Sequence, residues 1–409
     1  MSELFLSEGE VLQLDPWSIP IDEIDVSQPN LFKTNTHFAF FERLRRDAPV
    51  HYCKDSVFGP FWSITRFEDI MSVDKDHHNF SSVGGVSLGD RPGDFNTPNF
   101  ISLDPPEHDD QRMAVTGVVA PTNLAQLESV IRERAAKILD DLPVGETFDW
   151  VDKVSIELTT QMLAAIFDFP FEHRRKLTYW SDLATSTVAT GGSMPEASRR
   201  EGLLECLEFF TQLKRERANR DPAEHNDLVT MMAHSPATKN MDPMEYLGNL
   251  ILLIVGGNDT TRNSISGGLV ALNQFPEEYD KLRANPALIR NMVPEIIRWQ
   301  TPLSYMRRRC VNDTVVNGQT IKAGDKVAMW YCSGNRDERV IDNPDAFIID
   351  RKQPRHHLAF GFGIHRCMGN RLGEIQLRVL WEEILKRFSK VEVIGEPERV
   401  RSNFVRGYA

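Results

Sequence analysis

Long apolar runs are missing from this 409-residue chain, and the longest, residues 250–255, falls far short of the ~20 residues that span a bilayer. No membrane span is expected. Cysteine is scarce: Cys53, Cys206, Cys310, Cys332 and Cys367 are scattered, odd in number and free of any C-x-x-C pair, which fits neither a disulfide framework nor a zinc ribbon. A reducing cytoplasm is the expected compartment. Basic charge is also short, with 47 Lys and Arg against 59 Asp and Glu and a net charge of −12, and this argues against non-specific nucleic-acid binding. Residues 1–15 are acidic and lack the basic flank and apolar core of a signal peptide. Neither a glycine-rich dinucleotide fingerprint nor a cysteine set for an iron–sulfur cluster is found, and no repeat or interdomain linker stands out.

What is present is mostly helical spacing. His37, Phe40, Phe41 and Leu44 recur on one helical face, as do Leu124, Leu127, Ile131, Ala135 and Ile138. Residues 51–66, turning near Gly59-Pro60, and 309–327, turning at Asn317-Gly318, read as strand pairs. Residues 81–106, rich in Gly, Ser, Asp and Pro, read as a long surface loop of the kind that often forms a lid, and 187–198 as a break between helices. Length alone suggests two or three domains, yet the pattern is mainly α, helix-rich with a small β-rich region. The longest helix runs over 242–275, with Asp242 as cap, Pro243 in the first turn and Glu245 completing a capping-box pattern.

Near the C-terminal end, Phe360-Gly361-Phe362-Gly363-Ile364-His365-Arg366-Cys367-Met368-Gly369 delivers one cysteine to the start of a helical pattern. Glycines let backbone approach a flat ligand, and a helix N-terminus stabilises a thiolate and lowers its pKa. Such a sulfur against a planar group suggests an axial haem ligand. A lone cysteine near a turn reads more often as buried structure. Here Phe360, Gly363, His365, Cys367 and Gly369 fall at fixed offsets, and the chain resembles the cytochrome P-450 family of haem-thiolate monooxygenases.

Inside the long helix lies Gly256-Gly257-Asn258-Asp259-Thr260-Thr261, a poor helix former where burial is expected. Asp and Thr can divert local hydrogen bonds and open a groove. The resemblance makes this the oxygen-binding notch over the haem, with a proton path through the catalytic pair Asp259 and Thr260. It also gives Glu295 and Arg298 a buried structural role behind the haem loop, although Ala346 stands before Phe347 where the family often has a basic third member. His108, Arg112, Arg308 and His365 match the family's haem contacts, with Arg307 and Arg309 as the adjacent alternatives to Arg308.

The resemblance thus implies a cytochrome P-450 fold, one catalytic haem domain over 1–409 without a fused reductase, haem b (iron protoporphyrin IX) as cofactor and Cys367 as metal ligand. The implied reaction places one atom of dioxygen into a C–H bond. Electrons would come from a ferredoxin and an NAD(P)H-dependent ferredoxin reductase, docking on a basic face of Arg351, Lys352, Arg355, Arg366 and Arg371. Gly256-Gly257-Asn258-Asp259-Thr260-Thr261-Arg262-Asn263-Ser264, Trp299-Gln300-Thr301-Pro302-Leu303 and the residues around Cys367 are similar to the bacterial subgroup that hydroxylates the ends of n-alkanes and fatty acids, with Gly256 and Leu303 beside the substrate. A terpenoid or other small hydrophobic substrate, a peroxide-driven peroxygenase and a haem sensor are the alternatives. The subgroup usually continues into a last short strand where this chain ends, at Gly407-Tyr408-Ala409.

Overall fold

The computed structural model describes residues 4–409 except 91, 92, 188, 189 and 193. Parts of the acidic start, the 81–106 loop and the 187–198 break therefore lie outside the described residues. The architecture is mainly α, as expected, with one five-stranded and one two-stranded sheet among the described residues. Both helical stripes form: His37–Asp47 buries His37, Phe40, Phe41 and Leu44, and Pro121–Asp140 buries Leu124, Leu127, Ile131, Ala135 and Ile138.

The strands are β1 (Val50–Cys53), β2 (Phe61–Ile64), β3 (Phe80–Ser81), β4 (Met306–Cys310), β5 (Thr314–Val316), β6 (Gln319–Ile321) and β7 (Lys326–Met329). The larger sheet has the order β1-β2-β7-β4-β3, in which only the β2–β7 pairing is parallel. The Asn317-Gly318 turn closes the β5–β6 hairpin, with φ of 44° and 79° at its two residues. These are the positive angles that make Asn-Gly a hairpin turn.

The long helix is Pro243–Gln274, 32 residues, or ~48 Å at ~1.5 Å per residue. Asp242 caps it by accepting from the Met244 N–H at 2.9 Å. Glu245 does not complete a capping box; its carboxylate instead accepts from Gln111 Nε2 at 2.7 Å, tying the long helix to the Glu107–Thr116 helix. Around it pack Glu157–Phe167, Arg175–Thr185, Glu196–Arg217, Ile289–Gln300 and Asn370–Arg387, and their inward faces form the main apolar core. The 81–106 loop lies directly on the long helix, because a Cβ at Gly248 would stand 2.0 Å from the Pro98 carbonyl oxygen.

The chain's last residues fold back rather than fray. Val405 bridges Leu303, Tyr408 bridges Arg399, and the Gly407 backbone lies so close to Asn263 that a Cβ there would strike its side chain at 2.2 Å.

Candidate active site

Residues 360–369 make a tight, doubly anchored loop. The Cys367 N–H donates to the Phe360 carbonyl at 2.8 Å, and Gly369 caps the Asn370–Arg387 helix that follows. Gly363 has φ +68°, and a Cβ there would meet the Asp74 carbonyl oxygen at 2.4 Å, so this turn admits only glycine. Asp74, buried and absent from any motif, organises the loop. Its carboxylate accepts from the Phe362 N–H, the Tyr331 hydroxyl and Arg308 Nη2, each at 2.8 Å.

The Cys367 side chain is accessible although protein surrounds it closely. Burial pushes its thiol pKa up, against the opposing pull of the Gly369 and Asn370 amides and of the Arg112 and Arg366 charges. The lowered pKa expected from the helix terminus is therefore corrected: the peptide dipoles act in the expected direction but do not outweigh desolvation. A thiolate in this place calls for a cation, and a coordinated metal ion supplies one.

Gly256 is exposed in the middle of a helix that is otherwise buried for most of its length, and a Cβ built on it would meet nothing within 4 Å. It faces open space. Leu252 and Val255, close by on the same helix, are half-buried, as is Leu303. Thr260 Oγ1 donates to the Gly256 carbonyl at 3.0 Å, diverting that carbonyl toward a side chain. Asp259 makes no such bond to the helix. It is buried, and its Oδ1 accepts from Ser181, Asn258 and Arg262.

A cationic group gathers beside the cysteine loop. The His108 and His365 rings meet edge to face at 4.3 Å, Arg308 and Arg112 depress the pKa of His365 after burial has done most of it, and Arg112 Nη2 donates to the Arg366 carbonyl at 2.6 Å. Of the three consecutive arginines, Arg307 is committed to the Gly84 and Gly85 carbonyls and Asp90, the buried Arg308 to Asp74 and the Arg307 carbonyl, and the half-buried Arg309 to the Gly324 carbonyl. Nε2 of His108 and Nδ1 of His365 are buried without a partner among the described residues. Unpartnered ring nitrogens among cationic residues, an accessible thiol amid surrounding protein and a glycine facing empty space together fit a flat, iron-centred ligand bearing two carboxylates. Among the described residues no group of three or more His, Cys, Asp or Glu is placed to hold a metal.

Glu295 and Arg298 form a fully buried pair through two bonds of 2.8 Å. The missing third member is Arg351, which donates to both Glu295 oxygens. Arg351 is thereby removed from the basic docking face, where sequence proximity to the loop had placed it. Arg355 pairs with Glu374, while Lys352, Arg366 and Arg371 remain exposed.

A profile of the Cytochrome P450 family matches residues 197–403. Linalool 8-monooxygenase of Pseudomonas putida is 35% identical over 401 residues, covering 94% of this chain and 96% of its own. Methyl-branched lipid omega-hydroxylase of Mycobacterium tuberculosis is 27% identical over 412 residues, covering 96% and 94%. Among solved structures, CYP153D17 from Sphingomonas sp. PAMC 26605 is 48% identical with a TM-score of 0.89, covering 95% of this chain and 98% of that one.

Proposed function

This chain belongs to the cytochrome P450 family of haem-b-dependent monooxygenases, and from that membership we propose that it hydroxylates the chain end of an n-alkane or fatty acid. The observation that carries this reading is the empty space at Gly256, flanked along the long helix by the half-buried apolar side chains of Leu252 and Val255. We take Gly256 and Cys367 to face one hollow, with Leu303 narrowing it. An aliphatic chain has only apolar area to offer, at ~0.8 kcal/mol per buried methylene. Terminal C–H bonds are stronger than internal ones, so attack at the end requires steric restriction of the rest of the chain.

Bound haem supplies the activation of dioxygen, one atom of which enters the C–H bond while the other leaves as water. Cys367 would hold the iron through sulfur, with the Phe360-to-Gly369 loop fixing its direction and the amides of Gly369 and Asn370 steadying its charge. His108, Arg112, Arg308 and His365 would hold the haem carboxylates. Thr260 presents its hydroxyl at the notch, and the Asp259 carboxylate, one residue before it on the same helix, would serve as the proton relay. We further propose a single catalytic domain over 1–409 in the cytoplasm, reduced by ferredoxin and its NAD(P)H-dependent reductase at a face containing Lys352, Arg366 and Arg371. The five unpaired cysteines support that compartment.

A second reading, an acyclic terpenoid substrate, is favoured by the similarity to linalool 8-monooxygenase. The test is turnover of n-alkanes, fatty acids and terpenoids with ferredoxin and reductase, locating the new hydroxyl by mass spectrometry. Terminal alcohols from linear chains support the proposal. Turnover of terpenoids alone overturns it.

A further inference from the structure

We propose that Asp182 is a positioning residue for the proton-relay carboxylate Asp259, acting through Arg262. The inference rests on the role assigned to Asp259 above. Asp259 is 1% exposed, and all of its hydrogen bonds converge on one oxygen: Oδ1 accepts from Ser181 Oγ at 3.0 Å, Asn258 Nδ2 at 2.9 Å and Arg262 Nη2 at 3.1 Å. Its Oδ2 is buried without a partner among the described residues. Such an oxygen is poorly satisfied where it stands, and its desolvation favours a turn toward any proton donor that comes within reach.

Arg262 determines how readily that turn occurs. Three residues after Asp259 on the same helix, it also donates from Nη1 and Nη2 to Asp182 Oδ1, both at 3.2 Å. The Asp182 side chain is 47% exposed, so one guanidinium is shared between an inner carboxylate and an outer one. Arginine does not release its proton in proteins, hence Arg262 is a clamp and no conduit. The more of its donor capacity Asp182 takes, the more weakly it grips Asp259.

Ser181 and Asp182 are consecutive on the Arg175–Thr185 helix, which packs against the long helix and leads into the 187–198 segment. Two of the groups that set the state of Asp259 therefore belong to a different element from Asp259 itself. Loss of the Asp182 charge would leave Arg262 to Asp259 alone, as a buried one-to-one pair that is costly to break.

The experiment compares Asp182→Asn, Asp182→Glu and Asp259→Asn in the holoenzyme with ferredoxin and reductase. Asp182→Asn is expected to keep haem content and substrate affinity, to lose several-fold in the coupling of NAD(P)H to product, and to show a larger solvent deuterium isotope effect. Asp182→Glu restores both. A double-mutant cycle of urea unfolding between Asp182→Asn and Arg262→Gln reads the contact without catalysis, and a non-additive result is expected. Normal coupling and isotope effect in Asp182→Asn while Asp259→Asn loses them overturns the inference and leaves the Asp259 role standing. Normal behaviour in both variants overturns both. A loss in Asp182→Asn that Asp182→Glu fails to rescue, or an additive cycle, reduces Asp182 to packing and also overturns it.

Discussion

Arg351 donates from Nε and Nη2 to the two carboxylate oxygens of Glu295, at 3.0 and 3.2 Å, across 56 residues of chain. Glu295 is already held by Arg298 and accepts from the Ile348 N–H at 2.9 Å. Arg298 in turn donates to the Asn335, Pro344 and Ala346 carbonyls. One buried carboxylate thus ties the Ile289–Gln300 helix to the segment leading into the cysteine loop.

Removing either side of this network should therefore loosen the loop as well as the fold. Glu295→Gln leaves Arg298 buried beside a neutral partner and is expected to cost ~3–5 kcal/mol. Arg351→Ala leaves Glu295 paired to Arg298 and should cost less, ~1–3 kcal/mol. Urea unfolding with haem retention measured in parallel checks the order, and an equal loss in both variants would contradict it.

The site was legible in the sequence where its chemistry is local. The spacing around Cys367, the glycines at 256 and 257 and the Asn317-Gly318 turn each encode their own geometry within a few residues. Arg351 was misread because its partner lies far along the chain, so that proximity to the loop in sequence stood in for position in space. Asp74 left no trace for the same reason: an aspartate in an ordinary helical segment becomes a hub only when Arg308, Tyr331 and Phe362 converge on it. The larger sheet was only half visible. Hairpin β1–β2 announces itself, but the parallel pairing of Trp62, Ser63 and Ile64 with Val327, Ala328 and Met329 joins distant segments that no turn connects. The thiol pKa was misjudged because a helix terminus can be read from sequence and desolvation cannot.

Two glycines of the long helix should respond oppositely to alanine. Gly256→Ala adds a methyl group to empty space and should stabilise the helix by roughly 1 kcal/mol, while weakening substrate binding by filling the notch. Gly248→Ala drives a Cβ to 2.0 Å from the Pro98 carbonyl and must displace backbone, so its melting temperature should fall. Thermal unfolding and substrate titration of the two variants separate the effects.

Cys367→Ser should abolish the red-shifted absorption band that thiolate ligation gives the reduced carbon monoxide complex. Cys206→Ser and Cys332→Ser, at buried positions in the core, should keep it. Retention of the band in Cys367→Ser would refute the ligand assignment.

His37 predicts a pH dependence of stability. Burial, then the Arg406 charge, holds its pKa well below the usual value, and the hydrogen bond to the Leu31 carbonyl opposes this only in part. The Arg336 and Arg399 charges add to the depression. Below ~6.5 the unfolded chain takes up a proton at this position that the folded chain refuses, so stability falls as pH falls through that range. Above ~6.5 neither state is charged and the contribution vanishes. His357, lowered to about 3 by burial and by the Arg298, Arg366 and Arg355 charges, acts in the same direction. His37→Phe keeps the ring between Phe32 and Phe38, and its acid-side loss of stability should be shallower than that of the parent without disappearing. Urea midpoints measured across that pH range check the slope.

Leu303 tests the terminal regiochemistry. Its backbone is pinned by the bridge to Val405, with Ser304 N–H donating to the Phe404 carbonyl at 2.8 Å and Arg406 N–H to that of Pro302 at 2.8 Å, so the side chain is held from both flanks. Leu303→Ala removes bulk without releasing this backbone, and the fold should persist. If Leu303 restricts the approach of a linear chain, the variant should shift hydroxylation from the terminal carbon toward internal positions, where the C–H bonds are weaker. Affinity for successive n-alkanes or fatty acids should rise in the parent by about fourfold per methylene, the equivalent of ~0.8 kcal/mol, until the hollow is full. The variant should reach that limit at a longer chain. Substrate titration across a chain-length series gives the limit, and mass spectrometry of the products gives the position of the hydroxyl. An unchanged product pattern with an unchanged chain-length limit would remove Leu303 from the substrate site.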